Sequence, residues 1–120
     1  MKLDFLEKYP PDWQKQVHKY LAGDRREFDI KPKLTGTEFQ MAVWCEIACI
    51  PYGQTRTYTE VAAAIGKPKA VRAVGTACGR NPFPIIVPCH RVVAQHGLGG
   101  YIFGLDMKKQ LLDMERQNAK

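Results

Sequence analysis

The sequence predicts a mainly α-helical domain of the α+β class, with a helix-turn-helix and one short sheet element. The first observation behind this prediction is a pair of capping boxes, beginning at Thr37 and Thr57, each of which marks the start of a helix. The second is a glycine turn at Gly66 between two short helical segments, the usual sequence form of a helix-turn-helix. The third is an apolar run at residues 83–87, which predicts a buried strand.

The length and composition are those of one globular domain. The chain has 120 residues, of which 45% are hydrophobic and 25% are charged, enough for a single modest core. Its net charge of +6 favours a polyanionic partner, although many soluble proteins carry such a charge for solubility alone. We find no apolar run of membrane-spanning length and no secretory signal, and we therefore expect no membrane association and a cytoplasmic location.

The four cysteines predict free thiols in a reducing compartment. There is no CxxC pair, and Cys45 and Cys49 lie one helical turn apart without a second pair of matching spacing. We therefore expect no metal site. Taken singly, Cys45, Cys49 and Cys78 are each expected to be core residues.

The opening block is predicted to be structural scaffolding. After two prolines, apolar residues at i, i+4, i+7 and i+8 indicate a helix that ends at Gly23. The apolar face of this helix consists of Trp13, Val17, Tyr20 and Leu21. Alternating Phe28, Ile30 and Leu34 then predict a short strand, for which Pro32 indicates an edge position.

Three further helices are predicted before the apolar run. The first begins at Thr37, with Gln40 completing its capping box, and stops at Pro51-Tyr52-Gly53. The second begins at Thr57, with Glu60 completing the box, and ends at Gly66. Lys67-Pro68-Lys69 separates it from the third helix, which runs from Ala70 to about Cys78. The last two helices are the candidate helix-turn-helix.

The second helix of this pair is unusually rich in small residues. Arg72 is the only long side chain in its middle, and Gly75 costs up to about 1 kcal/mol relative to alanine in a helix interior. The small residues are Ala70, Ala73, Gly75, Thr76, Ala77 and Gly79. Two interpretations remain open, namely tight packing against another helix and close approach to a nucleic-acid groove.

The segment Pro88-Cys89-His90-Arg91-Val92 follows the predicted strand and carries a candidate nucleophile. Pro88 cannot donate a ladder hydrogen bond, so regular pairing should stop there. The thiol of Cys89 then lies at the edge of the core beside an imidazole, which can lower its pKa. The alternative is an inert buried cysteine.

The remaining sequence predicts a loop and a final helix. The loop, residues 96–101, is rich in glycine but lacks the GxGxxG pattern and a βα crossover, so we exclude dinucleotide binding. The helix spans roughly Leu105 to Gln117. Its apolar positions are Leu105, Leu111, Leu112 and Met114, and its polar ones include Lys108 and Glu115.

From about Thr35 to Glu115, the sequence resembles the O6-alkylguanine-DNA alkyltransferases, also called methylated-DNA–protein-cysteine methyltransferases. The resemblance implies a winged-helix-like fold and irreversible, single-turnover repair of O6-alkylguanine without a cofactor. The matching segments are Gly36-Thr37-Glu38-Phe39-Gln40, Val43-Trp44, Ile50-Pro51-Tyr52-Gly53-Gln54-Thr55, Tyr58, Ala70-Val71-Arg72-Ala73-Val74-Gly75, Asn81-Pro82, Pro88-Cys89-His90-Arg91-Val92, Gly100-Tyr101, Lys108, Leu111-Leu112 and Glu115.

The resemblance also implies a role for each active-site residue. Cys89 accepts the alkyl group, and His90 acts as its base, through a water because neighbours in extended backbone point to opposite faces. Glu115 fixes the imidazole tautomer. Asn81 supports the turn into the active site, and Tyr58 either donates to the departing guanine or rotates its phosphate.

The partner that the resemblance implies is double-stranded DNA, bound by a monomer through the minor groove with the damaged base flipped out. Small residues would let the helix enter a groove only about 6 Å wide. Arg72 would fill the gap in the base stack. The remaining expected DNA contacts are Ala70, Ala73, Gly75, Thr76, Lys67, Lys69 and Arg80, and the expected pocket residues are Tyr58, Val92, Tyr101, Ile102 and Lys108. Such a protein would be associated with the nucleoid, or with the nucleus in a eukaryote.

Two features depart from the family pattern. Residues 1–34 are expected to be a shortened N-terminal segment, a helix and a strand in place of the family's α/β domain, ahead of the DNA-binding and acceptor domain at residues 35–120. Ile102 and Phe103 stand where the family tends to have small residues, so the alkyl pocket could be narrower.

Three other functions are compatible with parts of the sequence. An alkyltransferase-like protein would bind the lesion without transfer, but those relatives lack the acceptor cysteine. A hydrolase using Cys89, His90 and Glu115 would need an oxyanion hole, which is not evident. A non-catalytic helix-turn-helix regulator would leave the segment from Pro88 to Val92 unexplained.

Overall fold

The computed structural model describes residues 3–120 and confirms a mainly helical protein with one small sheet. Its elements, in chain order, are a 3-10 helix Asp4–Lys8, α1 Pro11–Leu21, α2 Glu38–Ala48, β1 Arg56–Thr57, α3 Tyr58–Ala64, α4 Val71–Gly79, a 3-10 helix Cys89–Arg91, β2 Val92–Val93 and α5 Leu105–Asn118. The strands β1 and β2 are parallel, with Arg56 opposite Val92 and Thr57 opposite Val93. In residues 3–120, no helix has the length and apolar content that crossing a membrane requires.

Both capping boxes are confirmed. The hydroxyl of Thr37 accepts from the backbone N–H of Gln40, whose side chain accepts from the Thr37 N–H in return. Thr57 and Glu60 form the same pair of bonds at the start of α3. Gly66 follows α3 with a φ of +76°, the left-handed conformation that ends a helix.

Two apolar clusters hold the described residues together. One joins α2, α3 and α4, and the indole N–H of Trp44 donates to the Ala77 carbonyl at 2.9 Å between two of these helices. The other joins α1 to α5, with Val17 and Tyr20 packed in a cluster that includes Leu111. Cys89 and Val92 belong to the first cluster, and His90 contacts Tyr20 of the second, so α1 helps to build the surroundings of this segment.

The strand expected around Phe28–Leu34 does not form. The segment is held instead by one buried side chain, because Gln16 accepts from the Asp29 N–H at 2.9 Å and donates to the Asp29 carbonyl at 3.4 Å. A glutamine amide thus takes the place of a neighbouring strand.

The buried strand expected at residues 83–87 is also wrong. The run is largely buried, but Ile85 has a φ of +73° and the Val87 N–H donates back to the Phe83 carbonyl at 2.9 Å. The Asn81 side chain closes this turn, accepting from the Phe83 N–H at 2.9 Å and donating to the Val87 carbonyl at 2.7 Å. Apolar content was therefore a correct sign of burial but not of extended backbone.

Three burial predictions, those for Cys45, Cys49 and Leu105, need correction. Cys45 and Cys49 are exposed, because the core face of α2 is formed by Val43, Trp44 and Ile47, whereas Cys78 is buried as expected. In α5, Leu105 is 49% exposed, while Lys108 and Glu115 are fully buried. Two polar residues therefore occupy the inner face of α5, where each has hydrogen-bonding partners.

Candidate active site

An open cleft of about 820 Å³ lies between α3, α4 and the glycine-rich loop. Its volume is in the usual range for small-molecule sites. Its lining residues are Tyr58, Val71, Arg72, Gly75, Cys78, Gly79, Cys89, Gly100, Tyr101 and Ile102. Of the residues expected to form the pocket, Val92 and Lys108 lie behind this lining, and the other three belong to it.

The Cys89 thiol lies at the edge of the cleft and is only 4% exposed. It begins a 3-10 helix, and the side chain of Asn81, which is 6% exposed, is nearby. Burial raises the pKa of Cys89, while the Asn81 amide and the Lys108 charge act in the lowering direction. The resting thiol is therefore protonated, and attack requires a base.

His90 is fully buried beside it, and its two ring nitrogens have different surroundings. Nε2 lies 2.7 Å from Oε2 of Glu115, whereas Nδ1 has no hydrogen-bonding partner among residues 3–120. Because a carboxylate only accepts, the proton lies on Nε2 and Nδ1 carries the lone pair. Burial lowers the pKa of His90, so the ring is neutral and can take a proton. The extended backbone expected here is wrong, because Cys89–Arg91 is helical.

The Glu115 carboxylate accepts from four residues. Arg91 donates from Nε to Oε1 at 2.8 Å and from Nη2 to Oε2 at 3.0 Å, and the Gly53 N–H donates to Oε1 at 3.2 Å. The Tyr20 hydroxyl donates a short hydrogen bond to Oε2, which also accepts from His90. Burial raises the pKa of Glu115, but the bonds from His90 and Arg91 outweigh it and lower the pKa to about 2.

Arg91 and Tyr20 are polar partners that sequence reasoning missed. Arg91 is adjacent to His90, but nothing in its sequence position indicates that its guanidinium turns inward, to be 6% exposed. Tyr20 was identified only as an apolar residue of α1. Its partner Glu115 lies 95 residues away, a separation at which periodicity carries no signal.

The Lys108 ammonium group is buried under the cleft. Nζ donates to the Val92 carbonyl at 2.6 Å and to the Gly100 carbonyl at 2.8 Å, and lies 5.8 Å from the ring centroid of Tyr58. Burial lowers the pKa of Lys108 to about 8, although Cys89 and Cys78 act in the raising direction. The buried ammonium group thus connects β2 to the glycine-rich loop by hydrogen bonds.

Tyr58 lies at the mouth of the cleft, against the glycine-rich loop. Its hydroxyl accepts from the Gly100 N–H at 3.3 Å, and its ring lies directly beside Gly99. Ile102, next to the half-buried Tyr101, is 55% exposed at the same mouth. Phe103 turns the other way and stacks on Phe5, with ring centroids 4.8 Å apart, so the expected narrowing of the pocket rests on Ile102 alone.

Most of the residues expected to contact DNA are exposed on or next to α4, which borders the cleft. Arg72, Ala73 and Thr76 form the exposed face of α4, with Gly75 at the cleft and Ala70 at the start of the helix. The basic residues Lys67, Lys69 and Arg80 are exposed around this face. In the described part of the chain, His, Cys, Asp and Glu do not gather in any group of three or more that could hold a metal ion.

Comparison with known proteins identifies relatives of the whole arrangement. Residues 38–117 match the family described as 6-O-methylguanine DNA methyltransferase, DNA binding domain. A probable methylated-DNA–protein-cysteine methyltransferase of Acanthamoeba polyphaga mimivirus is 53% identical over 87% of this chain and 70% of its own length. The methylated-DNA–protein-cysteine methyltransferase of Methanosarcina barkeri is 46% identical over 98% of this chain and 85% of its own length.

Two solved structures of methyltransferases resemble this chain in both fold and sequence. The crystal structure of Mycobacterium tuberculosis OGT in complex with DNA has a TM-score of 0.87 and 47% identity, and covers 90% of this chain. The crystal structure of the O6-methylguanine methyltransferase of the same organism has a TM-score of 0.85 and 48% identity, over 91% of this chain. The present chain spans about two thirds of those two chains, 66% and 67% respectively.

Proposed function

Because this chain belongs to the 6-O-methylguanine DNA methyltransferase family, we propose that it repairs DNA by direct reversal, moving the alkyl group of an O6-alkylguanine onto Cys89. The observation that carries the proposal is the position of the thiol. Cys89 lies at the edge of an open cleft, and the neutral, buried imidazole next to it is backed by a carboxylate at 2.7 Å. A nucleophile, a base and a group that orients the base are thus contiguous.

The proposed chemistry is a single displacement. Nδ1 of His90 takes the thiol proton over one water, and Glu115 stabilises the imidazolium that forms. The sulfur attacks the alkyl carbon, an S–C bond forms, and the bond from that carbon to O6 breaks with its electron pair remaining on the guanine. Tyr58, as the nearby donor, then gives a proton to the guanine and is reprotonated from solvent, to which His90 releases the proton that it took from the thiol. The thioether has no carbonyl that water could attack, so each chain acts once.

Substrate recognition is proposed to occur in the minor groove, with the damaged nucleotide rotated out of the duplex. The exposed face of α4 carries small residues, so its backbone can come close to a narrow groove. Arg72 is exposed and also lines the cleft, which suits a side chain that occupies the gap left by the flipped base. Lys67, Lys69 and Arg80 would neutralise phosphates.

A protein with this activity works as a monomer where chromosomal DNA is found, in the nucleoid or, in a eukaryote, in the nucleus. Such a protein needs no preference for a DNA sequence, because it must find the damaged base whatever bases flank it. Phosphate contacts provide such binding without reading bases. The net charge of +6 supports this mode of search.

The proposal is tested by intact-mass measurement after mixing the protein with a duplex that contains O6-methylguanine, followed by peptide mapping. We expect a gain of one CH2 group per chain, located at Cys89, and no further reaction with excess substrate. Cys89→Ala should gain no mass while still binding the alkylated duplex. Cys45→Ala, which removes an exposed thiol of α2, is the matched control and should react like the wild type.

Two other outcomes would replace the proposal. Tight binding to the alkylated duplex without any gain in mass would assign the chain to the lesion-binding class. Repeated turnover of an ester or peptide substrate at Cys89 would indicate a hydrolase. A methyl group mapped to Cys45, Cys49 or Cys78 would contradict the assignment of the acceptor.

A further inference from the structure

The Tyr20 hydroxyl lies inside the proposed active site, although Tyr20 belongs to the N-terminal helix α1. Its side chain is fully buried. The hydroxyl donates a short hydrogen bond to Oε2 of Glu115 and lies 3.2 Å from Nε2 of His90. The ring is fixed from its sides, since its centroid lies 5.5 Å from that of Phe28 and 6.1 Å from that of Tyr52. The N-terminal segment therefore contributes a polar atom to the His90–Glu115 pair.

The carboxylate of Glu115 is shared between two sets of donors. Oε1 accepts from Nε of Arg91 and from the Gly53 N–H, whereas Oε2 accepts from Nη2 of Arg91, from Tyr20 and from His90. The guanidinium is itself anchored, because its Nη1 donates to the Ile50 carbonyl at 2.8 Å. Arg91 therefore holds both oxygens of the carboxylate from an anchored position. Among these donors, the Tyr20 hydroxyl is the one that contacts both the shared oxygen Oε2 and Nε2 of His90, the latter at 3.2 Å.

The hydroxyl can hold this position throughout the working pH range. Burial raises the pKa of Tyr20, and the negative charge of Glu115 raises it further, so the group remains a donor. Once its proton points to the carboxylate, its oxygen lone pair is available to the N–H on Nε2 of His90. The carboxylate and the hydroxyl oxygen then accept from the same N–H, which keeps the proton on Nε2.

We propose that Tyr20 is a positioning residue for the proposed alkyl transfer, which holds the Glu115 carboxylate against His90 and so keeps Nδ1 free to accept the Cys89 proton. This inference rests on the proposed function only in naming alkyl transfer as the reaction that the contact serves. The effect of Tyr20 on His90 and on the Cys89 thiol can be measured without DNA. At metal sites, removal of the hydrogen-bond partner behind a ligating histidine commonly changes activity by about 10–100-fold, and we expect an effect at the lower end of this range here.

The test compares Tyr20→Phe with Tyr9→Phe. Tyr9 is also a buried tyrosine, but its hydroxyl donates to a backbone carbonyl, that of Pro84, at 2.8 Å. Three quantities are measured: the rate of methyl transfer from the duplex, the pH dependence of Cys89 labelling by iodoacetamide without DNA, and the ring 15N chemical shifts of His90. Urea unfolding shows whether each variant is folded.

We expect Tyr20→Phe to slow transfer about tenfold at neutral pH. Without the hydroxyl, the Glu115 carboxylate is held less firmly against His90, His90 becomes a weaker base, and the rise in labelling rate shifts to higher pH. The His90 ring signals should shift as well. Tyr9→Phe should leave the labelling profile and the ring signals unchanged, even where it lowers stability by a similar amount.

The outcomes separate this inference from the proposed function. A wild-type protein that accepts no methyl group would overturn the proposed function, while labelling and the ring signals would still test Tyr20. A folded Tyr20→Phe with wild-type labelling and ring signals would overturn the inference. If Tyr20→Phe does not fold, 3-fluorotyrosine at position 20 keeps the ring and changes only the hydroxyl acidity, and unchanged His90 signals would then overturn it.

Discussion

Arg91 and Glu115 form a buried, bidentate ion pair, in which Nε lies 2.8 Å from Oε1 and Nη2 lies 3.0 Å from Oε2. Glu115 is fully buried and Arg91 is 6% exposed. Removing one member of a buried pair leaves a charge without its partner, which is far more costly than losing an exposed pair. The same carboxylate also orients the proposed base, so stability and reactivity depend on one group.

Because of this pair, the free energy of unfolding should fall as the pH is lowered from about 4.5 to 2. The folded pKa of Glu115, about 2, lies below its ordinary value of 4.5, so its contribution is complete above pH 4.5 and is lost as the pH falls toward 2. The difference amounts to about 3 kcal/mol in the free energy of unfolding. Urea unfolding between pH 2 and 7 should show this loss in the wild type and in Glu27→Gln, which removes an exposed carboxylate. In Glu115→Gln this part of the loss should be absent, and a parallel loss there would contradict the assignment.

The buried ammonium of Lys108 should increase the reactivity of Cys89 only while it is charged. Its charge favours the thiolate, and its pKa of about 8 means that the charge disappears above that pH. We expect Lys108→Met to be labelled at Cys89 about tenfold more slowly than the wild type below pH 8, with the two rates converging at higher pH. The ratio of the two labelling rates is measured with iodoacetamide from pH 6 to 10.

The control for this prediction is the next residue along the helix. Lys109 is exposed and pairs with Asp113 at 2.7 Å, away from the cleft. Lys109→Met should therefore follow the wild-type profile. If the ratio of the wild-type labelling rate to that of Lys108→Met stayed constant from pH 6 to 10, the residue would act through packing and not through its charge.

Arg72 should matter for DNA and not for the chemical step. It is exposed on α4 and lines the cleft without contacting the His90–Glu115 pair. Arg72→Ala should slow repair of O6-methylguanine in a duplex by about tenfold or more, since stabilising an extrahelical base is worth a few kcal/mol. Reaction with free O6-benzylguanine should change much less. Rates with the two substrates measure the difference.

A matched exposed arginine provides the comparison. Arg116 lies near the end of α5, 3.8 Å from Asp113, and Arg116→Ala should leave both rates unchanged. Equal losses on the duplex and on the free base would remove the stack-filling role from Arg72. They would indicate instead that the substitution disturbs the cleft.

The helices were predictable because their start and stop signals are local. Thr37 with Gln40 and Thr57 with Glu60 carry their hydrogen bonds within four residues, so the sequence contains both partners side by side. The same holds for Gly66, whose positive φ ends a helix without help from distant residues. Signals of this kind do not depend on tertiary contacts.

The irregular segment before and around Cys89 was not predictable, because specific side-chain hydrogen bonds, which apolar content does not reveal, determine its backbone. Residues 83–87 are apolar enough for a strand, yet the amide of Asn81 and the left-handed Ile85 make them a turn. The motif around Cys89 identified the thiol and the imidazole, but not the inward turn of Arg91. Likewise, helical spacing placed Lys108 and Glu115 among polar positions, whereas both are buried by partners contributed from other segments.

Gly99 should be required for the position of Tyr58. It has a φ of +73°, and a Cβ built at this position would lie 2.7 Å from both Cε2 and the hydroxyl oxygen of Tyr58. Gly99→Ala must therefore move the ring away from the bond that it makes with Gly100, at an added backbone cost of about 1–2 kcal/mol. We expect slower methyl transfer together with a lower free energy of unfolding. The control is Gly97→Ala in the same loop, where a Cβ meets no atom within 4 Å, and which should match the wild type in both measurements. If Gly99→Ala lost stability but transferred the methyl group at the wild-type rate, the position of Tyr58 at the mouth of the cleft would have no role in the reaction.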